Sequence, residues 1–373
     1  MTEYTHTPPS IDLSGELHSL KQIIESLDSV GTWEFLKRSS NPYELVFSQC
    51  QDMRIPQSIC SLRPLSRSFF KMVEILNVLD FFRRHSATGR IASSHVCEGP
   101  GGFIEALLYL SSKNNTILEN AWAMTLKPTK SNIPGWKRAY HFLKKSPMVH
   151  IEYGADDTGD IMVAANQGAF LEKTGKKCNI FTADGGFDFS EHYSTQEGEV
   201  FPLLVSSAII GLQAIQAGGD FVLKIFDMEL EITRQFIAIL TYCFDDWTLY
   251  KPALSRPCNA EKYFLGRGFR GVPEWIIMLL GSIRDYYAKK NLHIKTIFNE
   301  IQDPVLKDIC ELKEELLQQQ IGALKYAIAH KEEWNMAPQV IWKRIHENSV
   351  QWCSEFKIPM KPFTHSTGAS HTN

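Results

Sequence analysis

The chain has 373 residues, of which 44% are hydrophobic and 22% are charged, and its formal net charge at pH 7 is −3. The length fits one large domain with additions, or two domains, and the composition is that of a globular protein. The nearly neutral net charge excludes a globally basic surface for nucleic acid. Because no run approaches about 18 apolar residues and the N-terminus has no apolar signal segment, the sequence predicts a soluble intracellular protein that binds no membrane.

The eight cysteines are scattered, and no two of them lie closer than ten residues apart. This spacing excludes a CxxC metal or redox motif, so the sequence predicts no metal site. Single cysteines fit buried thiols in a reducing compartment, and the sequence does not decide between cytoplasm and nucleus.

The N-terminal part is predicted as a loose tail over residues 1–14, a helix over residues 17–35 and a loop over residues 38–44. A second, amphipathic helix is predicted to begin at Lys71, because apolar residues recur there at helical offsets: Met72, Ile75, Leu76, Leu79 and Phe82. Just before it, Arg63 and Arg67 fit either a solvated helix start or contacts with phosphate.

A glycine-rich turn lies near the end of the first third of the chain. An apolar run leads into Cys97-Glu98-Gly99-Pro100-Gly101-Gly102-Phe103, and an apolar-periodic helix follows it. Because glycine lacks Cβ and tolerates positive φ, such a turn lets the backbone approach a ligand closely. The segment indicates either a site for a nucleotide or S-adenosyl ligand, or only a tight turn.

The chain after this turn alternates between strands and helices. Strands are predicted over residues 121–126, 149–153, 179–183 and 221–223, and a helix over residues 201–215. This alternation predicts an α/β, doubly wound sheet, in which ligands bind beyond the carboxyl ends of the strands. Gly99, Asp160, Asp184 and Lys224 all fall at that edge.

The rest of the chain has a different character. Residues 247–250 and 262–265 are predicted to form a closing antiparallel pair, and the chain beyond about residue 273 is predicted to be helical, most clearly over residues 312–326. Residues 363–373 are predicted to be a loose tail.

Four ionisable residues stand at unusual places: Lys71, Asp184, Lys224 and Glu261. Lys224 interrupts a buried-type apolar run, where a charge is costly unless it has a partner. The other three residues, taken singly, also fit a solvated lysine, an ordinary turn and a surface ion pair.

The combined motifs resemble those of the FtsJ-type 2′-O-ribose methyltransferases. The motifs are the glycine turn, ADGG at residues 183–186, LKIFD at residues 223–227 and SRPCNAEKY at residues 255–263. The Lys-Asp-Lys-Glu tetrad of that superfamily falls on Lys71, Asp184, Lys224 and Glu261, which we call the tetrad.

Three narrower motifs, at residues 41–44, 124–127 and 158–161, are similar to those of the mRNA cap-1 nucleoside-2′-O-methyltransferase family. The resemblance covers about residues 38–270. It implies a Rossmann-like methyltransferase sheet with an N-terminal extension and a C-terminal helical appendage. The domains expected are a tail over residues 1–14, an extension over 15–60, a methyltransferase domain over 61–272, a helical region over 273–362 and a tail over 363–373.

The resemblance implies S-adenosyl-L-methionine as the cofactor, with the glycine turn around its methionine part. Ser66 stands where the cap family often has asparagine, which leaves its cofactor contact open. The implied cofactor-binding residues are Ser66, Cys97, Glu98, Gly99, Pro100, Gly101, Gly102, Phe103, Asp160 and Ile161.

The reaction implied is methyl transfer to the ribose 2′-OH of the first transcribed nucleotide of capped mRNA, with Lys224 as a general base of depressed pKa. Burial and a second cation such as Lys71 would lower the pKa of Lys224 from about 10.4. Asp184 and Glu261 would favour the charged lysine, so the sequence does not fix the net direction.

The substrate side is implied by fewer residues. Arg256 and Asn259 match the SRPCNAEKY motif, and Arg38, Arg63 and Arg67 are candidates for the phosphates near the cap. The 7-methylguanosine would need an aromatic clamp, for which Tyr43, Trp136, Phe187 and Tyr193 are available, although each also fits a core aromatic.

Other readings stay open: a ribosomal RNA or tRNA 2′-O-methyltransferase, a cap-2 enzyme, or an inactive RNA-binding subunit. The SRPCNAEKY motif favours a cap enzyme, and the intact tetrad argues against an inactive one. The expected partners are a capped RNA 5′ end and other capping or transcription proteins. The chain lacks the extra modules of larger cellular cap-1 enzymes, which suits a viral or protist protein and, if viral, a virion or viral factory.

Overall fold

The structure is a computed structural model that describes residues 13–48, 54–129, 135–186, 196–289, 294–299, 304–329 and 337–362. Its strands are β1 (Arg90–Val96), β2 (Ile117–Met124), β3 (Val149–Glu152), β4 (Cys178–Ala183), β5 (Ile215–Ile225), β6 (Phe244–Tyr250) and β7 (Lys262–Phe269). They form one sheet in the order β3-β2-β1-β4-β5-β7-β6. The first five strands are parallel, and β7 runs antiparallel to both β5 and β6. The predicted doubly wound sheet and its closing antiparallel pair are confirmed.

The helices of the described chain surround this sheet. They are α1 (Leu13–Ser29), α2 (Trp33–Ser39), α3 (Ser68–Val78), α4 (Phe81–Arg84), α5 (Gly102–Lys113), α6 (Tyr140–Lys145), α7 (Ala164–Thr174), α8 (Gln196–Ala214), α9 (Glu231–Thr241), α10 (Glu274–Lys289), α11 (Pro304–Ala329) and α12 (Pro338–Glu355). The helical character predicted beyond residue 273 is confirmed.

Both faces of the sheet are buried, because successive side chains of a strand point to opposite faces. Phe221 and Leu223 of β5 pack in a core with residues of α8, α9 and α10. Val222, between them, packs in a second core with residues of α3 and α5. A strand with two buried faces reads as a continuous apolar run, which is why the sequence around Lys224 contains so few polar residues.

The N-terminal helices and the C-terminal helices, which flank the sheet region in the sequence, pack against each other. Apolar residues of α1, α2 and α11 share a third core, which includes Leu17, Leu36 and Ile321. Cys60 forms an isolated antiparallel bridge with Met360, and the indole nitrogen of Trp352 donates to Glu74 Oε1 over 3.0 Å. The N-terminal extension and the C-terminal helices therefore meet around the central domain.

Several predicted boundaries are wrong by a few residues. Helix α1 begins at Leu13, inside the predicted tail, and the single helix predicted over residues 17–35 is two helices separated at Gly31, whose φ is +68°. Helix α3 begins at Ser68, so Lys71 lies in its first turn rather than opening it, and α4, which holds half-buried Phe82, is separate from α3. Strand β2 ends at Met124 rather than residue 126, and Ile215 belongs to β5 rather than α8.

None of the helices in the described ranges is long and apolar enough to cross a membrane. The seven described cysteines are free thiols, and no group of three His, Cys, Asp or Glu side chains in the described chain is placed to hold a metal ion. Phe187, Tyr193 and the predicted tail at residues 363–373 lie outside the described residues.

Candidate active site

The four tetrad residues come together at the carboxyl edge of the sheet. Lys71 Nζ lies 2.6 Å from Glu261 Oε1, and Lys224 Nζ lies 3.8 Å from Glu261 Oε2. Lys224 Nζ also lies 3.3 Å from Asp184 Oδ1 and donates to the Asp184 carbonyl oxygen over 2.9 Å. Residues separated by up to 190 positions in the chain thus form one network of two cations and two carboxylates.

Each tetrad residue is placed by a regular element. Asp184 directly follows β4, and Lys224 lies one residue before the end of β5. Glu261 directly precedes β7, which pairs with β5 so that Tyr263 lies opposite Lys224. Lys71 reaches the same edge from the first turn of α3. The carboxyl ends of β4 and β5 and the start of antiparallel β7 meet here, so the positions follow from the topology.

The carboxylates decide the charge state of the site. Burial raises the pKa of Glu261, but the Lys71 and Lys224 ammonium groups outweigh burial and hold it well below its usual range. Burial lowers the pKa of Lys224, but Asp184 and Glu261 outweigh burial and raise it above the ordinary lysine value. The expected depressed pKa of Lys224 is therefore not what this arrangement produces, because two carboxylates face the ammonium and one cation does not balance them.

Two residues that sequence reasoning did not single out also belong to the site. Tyr263 is fully buried, and its hydroxyl donates to Asp184 Oδ1 over 2.7 Å. Lys251 Nζ donates to the Glu261 carbonyl oxygen over 2.8 Å and to Asn259 O and Oδ1 over 2.7 and 2.9 Å. Tyr263 could have been found from the sequence, since it lies two residues after Glu261 at the start of the same strand. Lys251 had no such signal, because only the fold brings it to residues 259–261.

The glycine turn lies beside the tetrad, between β1 and α5. Gly101 has a φ of +102°, and a Cβ at this position would lie 3.2 Å from the Trp136 ring. A Cβ at Gly99 would lie 2.6 Å from the Gly135 carbonyl oxygen, and one at Gly102 would overlap Ser66 Oγ and Ser68 Oγ. Ser66 is thus at the turn, and its hydroxyl is 2.5 Å from that of Ser68. Glycine is required here by close packing as well as by backbone conformation.

The remaining predicted cofactor residues are half-buried or buried. Burial raises the pKa of Cys97 to about 12, and the Glu98, Asp160 and Asp184 carboxylates add to this shift while Lys224 opposes it. The glycine turn, the loop at Asp160 and the tetrad are therefore within electrostatic reach of one thiol. Phe103 and Ile161 are core residues, and Pro100, half-buried, follows Gly99 in the turn.

Glu98 is a buried carboxylate at the start of the glycine turn. Its Oε2 lies 3.1 Å from His95 Nδ1, and Thr182 donates to its Oε1. Burial raises the pKa of Glu98, and His95 and Thr182 reduce the shift. The side chain of Glu98 thus joins β1 to β4 at the start of the glycine turn.

Three of the predicted substrate arginines surround one buried carboxylate. Glu44 is completely buried, and its oxygens lie 3.1 Å from Arg256, 3.3 Å from Arg38 and 3.4 Å from Arg67. Arg67 also donates to the carbonyl oxygens of Phe47 and Leu254, and its Nη2 has no acceptor among the described residues. Burial lowers the pKa of Arg67 to about 10, with Glu44 opposing. The cluster has an excess of positive charge and ties residues 38–47 to the SRPCNAEKY segment.

A cleft of about 260 Å³ opens next to Glu261. Its walls combine the carboxyl edge of the sheet with helices α1, α2 and α11, and they include Lys21, Ile24, Trp33, Lys37, Phe226, Arg256, Cys258, Asn259, Glu261, Gln320 and Leu324. The Phe226 ring is 5.5 Å from Lys224 Nζ, so it joins the cleft to the tetrad. Asn259 is exposed at the cleft, while its side-chain oxygen accepts from Lys251 and Ser255.

The structure does not bring every predicted substrate residue together. Arg63 is exposed and lines a separate cleft with Phe47, Ser58 and Lys361. Trp136 is 7% exposed beside the glycine turn, and Tyr43 packs against the core of α3 and α5. Phe226, which the sequence did not suggest as an aromatic clamp, is the aromatic ring nearest the tetrad among the cleft residues.

The amino-acid sequence is similar to those of several known methyltransferases. The chain is 26% identical over 88% of its length to the cap-specific mRNA (nucleoside-2′-O-)-methyltransferase 1 of Dictyostelium discoideum, covering 44% of that protein. It is 30% identical over 54% of its length to the protein of the same name from Trypanosoma cruzi, covering 55% of it. An African swine fever virus protein described as a methyltransferase is 27% identical over 54% of the chain, covering 49% of the viral protein.

The chain thus spans about half the length of these relatives. The model of the FtsJ-like methyltransferases matches residues 64–269, more than half of the chain. The matched segment runs from just before α3 to the end of β7 and contains the glycine turn and all four tetrad residues. The chain belongs to the FtsJ-like methyltransferase family.

Proposed function

We propose that the chain transfers a methyl group from S-adenosylmethionine to the ribose 2′-OH of the first transcribed nucleotide of capped mRNA, with Lys224 as the general base. The observation that carries this proposal is the convergence of Lys71, Asp184, Lys224 and Glu261 beside the glycine turn. The names of the relatives support capped mRNA as the substrate.

The residues around the glycine turn fit the cofactor. Helix α5 begins directly after the turn, and the free amides at a helix N-terminus favour a carboxylate such as that of a methionine moiety. Beside Gly101, the buried indole nitrogen of Trp136 has no acceptor among the described residues, so it can donate to a bound group. Asp160 offers a carboxylate at the neighbouring loop for hydroxyl or amino donors. When bound, the cofactor supplies an electrophilic methyl group on a sulfonium.

Lys224 is held for proton transfer. The Asp184 carbonyl and carboxylate oxygens fix its Nζ from one side, and Tyr263 fixes the Asp184 carboxylate in turn. Once Lys224 has lost a proton, its lone pair accepts the proton of the 2′-OH as that oxygen attacks the methyl group. Lys71 pairs with Glu261 and so weakens the attraction of that carboxylate for the proton on Lys224, although the pKa of Lys224 stays raised.

The cleft beside Glu261 fits the 5′ end of the RNA. Phe226 offers an aromatic face for a base, and Lys21, Lys37 and Arg256 offer positive charge for phosphates. A base against Phe226 would lie next to Lys224, where its own or the adjacent ribose would be methylated. The arginine cluster around Glu44 forms one side of this cleft through Arg256.

A methyl-transfer assay with matched RNAs tests the proposal. Short RNAs with a 7-methylguanosine cap, an unmethylated cap or a 5′-triphosphate are incubated with labelled S-adenosylmethionine, and nuclease digestion locates the methyl group. Transfer confined to the first transcribed nucleotide of capped RNA is the expected result. Equal transfer to uncapped RNA would contradict the cap proposal and favour a ribosomal RNA or tRNA substrate, and transfer to the second nucleotide would indicate a cap-2 enzyme.

A further inference from the structure

A cluster of cations covers α6 and the short turn before it. Lys137, Arg138, Lys144 and Lys145, which we call the basic patch, are all exposed. Ala139 between them is buried, and Phe142 and Leu143 are half-buried and pack against the core of α3 and α5. The cations thus share the outer face of an element whose inner face is anchored.

No carboxylate of the described residues forms an ion pair with the basic patch. The sequence contains no acidic residue between Glu119 and Glu152, in a chain whose net charge is −3. Glu119 pairs with Arg90, and Glu152 pairs with Lys173. No ion pair joins any of the four cations to a carboxylate within the part of the chain that the structure describes. Four uncompensated charges on one short element produce a local positive potential that the overall composition hides.

The basic patch begins next to the glycine turn. Lys137 follows Trp136, whose ring lies 3.2 Å from the Cβ position of Gly101 in the glycine turn. Leu65 Cδ1 lies 3.8 Å from the same position, and Leu65 is three residues before α3, the helix that carries Lys71. The basic patch therefore begins one residue after a side chain that packs on the glycine turn.

An exposed aromatic side chain lies among the cations of the basic patch. Tyr140 is 63% exposed, and its ring meets that of His141 edge-on at 5.3 Å between centroids. Lys137, Tyr140 and Lys144 follow one another at helical spacing, so they lie on one side of the element. Cations for phosphates, with an exposed ring for a base, are the combination that binds single-stranded nucleic acid without sequence preference.

We propose that the basic patch binds the phosphate backbone of the RNA chain beyond the nucleotides held at the tetrad. This inference rests on the proposed function, because it assumes that the RNA 5′ end occupies the cleft beside Glu261. It assigns the patch a role in affinity for longer RNA and none in methyl transfer itself. Tyr140 adds a stacking contact for one base of the same strand.

The test compares two double charge reversals. Lys144→Glu/Lys145→Glu alters the patch, and Lys176→Glu/Lys177→Glu, two exposed lysines between α7 and β4, changes the net charge equally elsewhere. Affinity for a capped RNA of about twenty nucleotides is measured at several salt concentrations, and methyl transfer is measured with that RNA and with a cap dinucleotide.

The patch variant is expected to bind the longer RNA ~10-fold or more weakly, and the slope of log K against log salt should become shallower by about 1.4 for two lost phosphate contacts to single-stranded RNA. KM for the longer RNA should rise with kcat unchanged, and transfer to the cap dinucleotide should stay at the wild-type rate. The control variant should match the wild type within about twofold.

Equal weakening in both variants, or wild-type affinity in the patch variant, would overturn the inference and leave the patch as a solvated surface or a site for another macromolecule. Failure of the proposed function has a different signature, since the wild type itself would then transfer no methyl group to capped RNA. The binding measurement still tests the patch in that case, because it does not depend on transfer.

Discussion

At the scale of single residues, the site is a balance between two lysines and two carboxylates. Lys224 is the proposed base, yet Asp184 and Glu261 keep it charged more strongly than an isolated lysine would be. Such a base is present mostly in its inactive form near neutral pH. The two carboxylates hold the Nζ atom of Lys224 in one place, but they also lower the fraction of Lys224 that is present as the neutral amine.

The pH dependence of the rate follows from this balance. Because the pKa of Lys224 is raised and the neutral amine is the active form, the rate of the chemical step should increase with pH by ~10-fold per unit at every pH below that pKa. Single-turnover methyl transfer to capped RNA between pH 6.5 and 9 measures the slope. Asp184→Asn removes one carboxylate and should move the profile toward lower pH, whatever its effect on the maximal rate. A flat profile in the wild type would mean that Lys224 does not take up the proton.

Lys251 gives a second prediction at this scale. Three hydrogen bonds from the Lys251 amino group hold Asn259 and the backbone of Glu261, so Lys251→Met should let this segment move. Burial lowers the pKa of Lys251 to about 7, so the group is only partly charged near neutral pH. Ordinary hydrogen bonds contribute about 0.5–1.5 kcal/mol each, and we expect kcat/KM for RNA to fall ~10-fold or more while the cofactor Kd changes little.

Lys251→Arg, which keeps the charge and several donors, should recover part of the activity. Lys177→Met, which replaces an exposed lysine in the same way, serves as the control. If Lys251→Met weakens cofactor binding and RNA turnover to the same extent, its role is general stability rather than placement of residues 259–261.

At the level of secondary-structure elements, the glycine turn and the arginine cluster around Glu44 have different roles. A substitution in the glycine turn should specifically weaken cofactor binding, whereas a substitution at Glu44 should lower the free energy of unfolding. Both depend on close contacts between segments that are distant in the chain.

Gly101→Ala should weaken cofactor binding. The φ of +102° is strained for any residue with a Cβ, and that Cβ would meet the Trp136 ring, so the turn is expected to shift at a cost of about 1–2 kcal/mol. This corresponds to a rise in the cofactor Kd of ~5- to 30-fold by calorimetry. The matched control is Gly168→Ala in α7, where a Cβ meets nothing within 4 Å. Unchanged cofactor affinity in Gly101→Ala would place the cofactor elsewhere.

Glu44→Gln should destabilise the fold, because it leaves Arg67 and Arg256 around a buried site without their counter-charge, while Arg38 keeps its ion pair with Glu34. Breaking a buried ion pair from one side costs about 3–5 kcal/mol, whereas Glu119→Gln, at a half-exposed carboxylate that pairs with Arg90 away from the cluster, should change the stability by at most about 1 kcal/mol. Chemical denaturation at pH 7 measures both.

The same cluster has a pH signature. Burial raises the pKa of Glu44, but Arg67 and Arg256 outweigh burial and lower it, so its contribution is complete above the unfolded pKa and is lost as pH falls through the folded pKa. The gap in stability between the wild type and Glu44→Gln should therefore narrow in acid. A gap that stays constant down to pH 3 would contradict the assignment of Glu44 as the charged centre of the cluster.

At the scale of the whole molecule, the parts predicted from sequence are those with a local signal. Apolar runs predicted β4 and β5, and the alternation of strands with helices predicted the doubly wound sheet. The tetrad was predicted by resemblance, and its convergence follows from strand topology. The packing of α1 and α2 against α11 had no local signal, since periodicity shows which face of a helix is apolar but not which distant helix covers it.

The charge state of the site also depends on the whole molecule. The sequence showed Lys224 as a charge in an apolar run, but the direction of its pKa depends on distances to Asp184 and Glu261 that only the fold sets. The predicted phosphate-binding arginines show the same dependence on the fold. The sequence could not show that Arg38, Arg67 and Arg256 meet Glu44 while Arg63 lies apart from them.

The role of Lys224 as general base is tested by comparing the wild type with Lys224→Ala in two measurements on the same preparations. Calorimetric titration with S-adenosylmethionine reports cofactor binding, and labelled methyl transfer to a short capped RNA reports chemistry. We predict cofactor affinity within a few-fold of the wild type and a loss of transfer of ~1,000-fold or more, since general-base catalysis contributes ~10²–10⁴-fold and Lys224 also fixes the network around Asp184. Transfer by Lys224→Ala near the wild-type rate, with the methyl group still on the first transcribed nucleotide, would contradict the account.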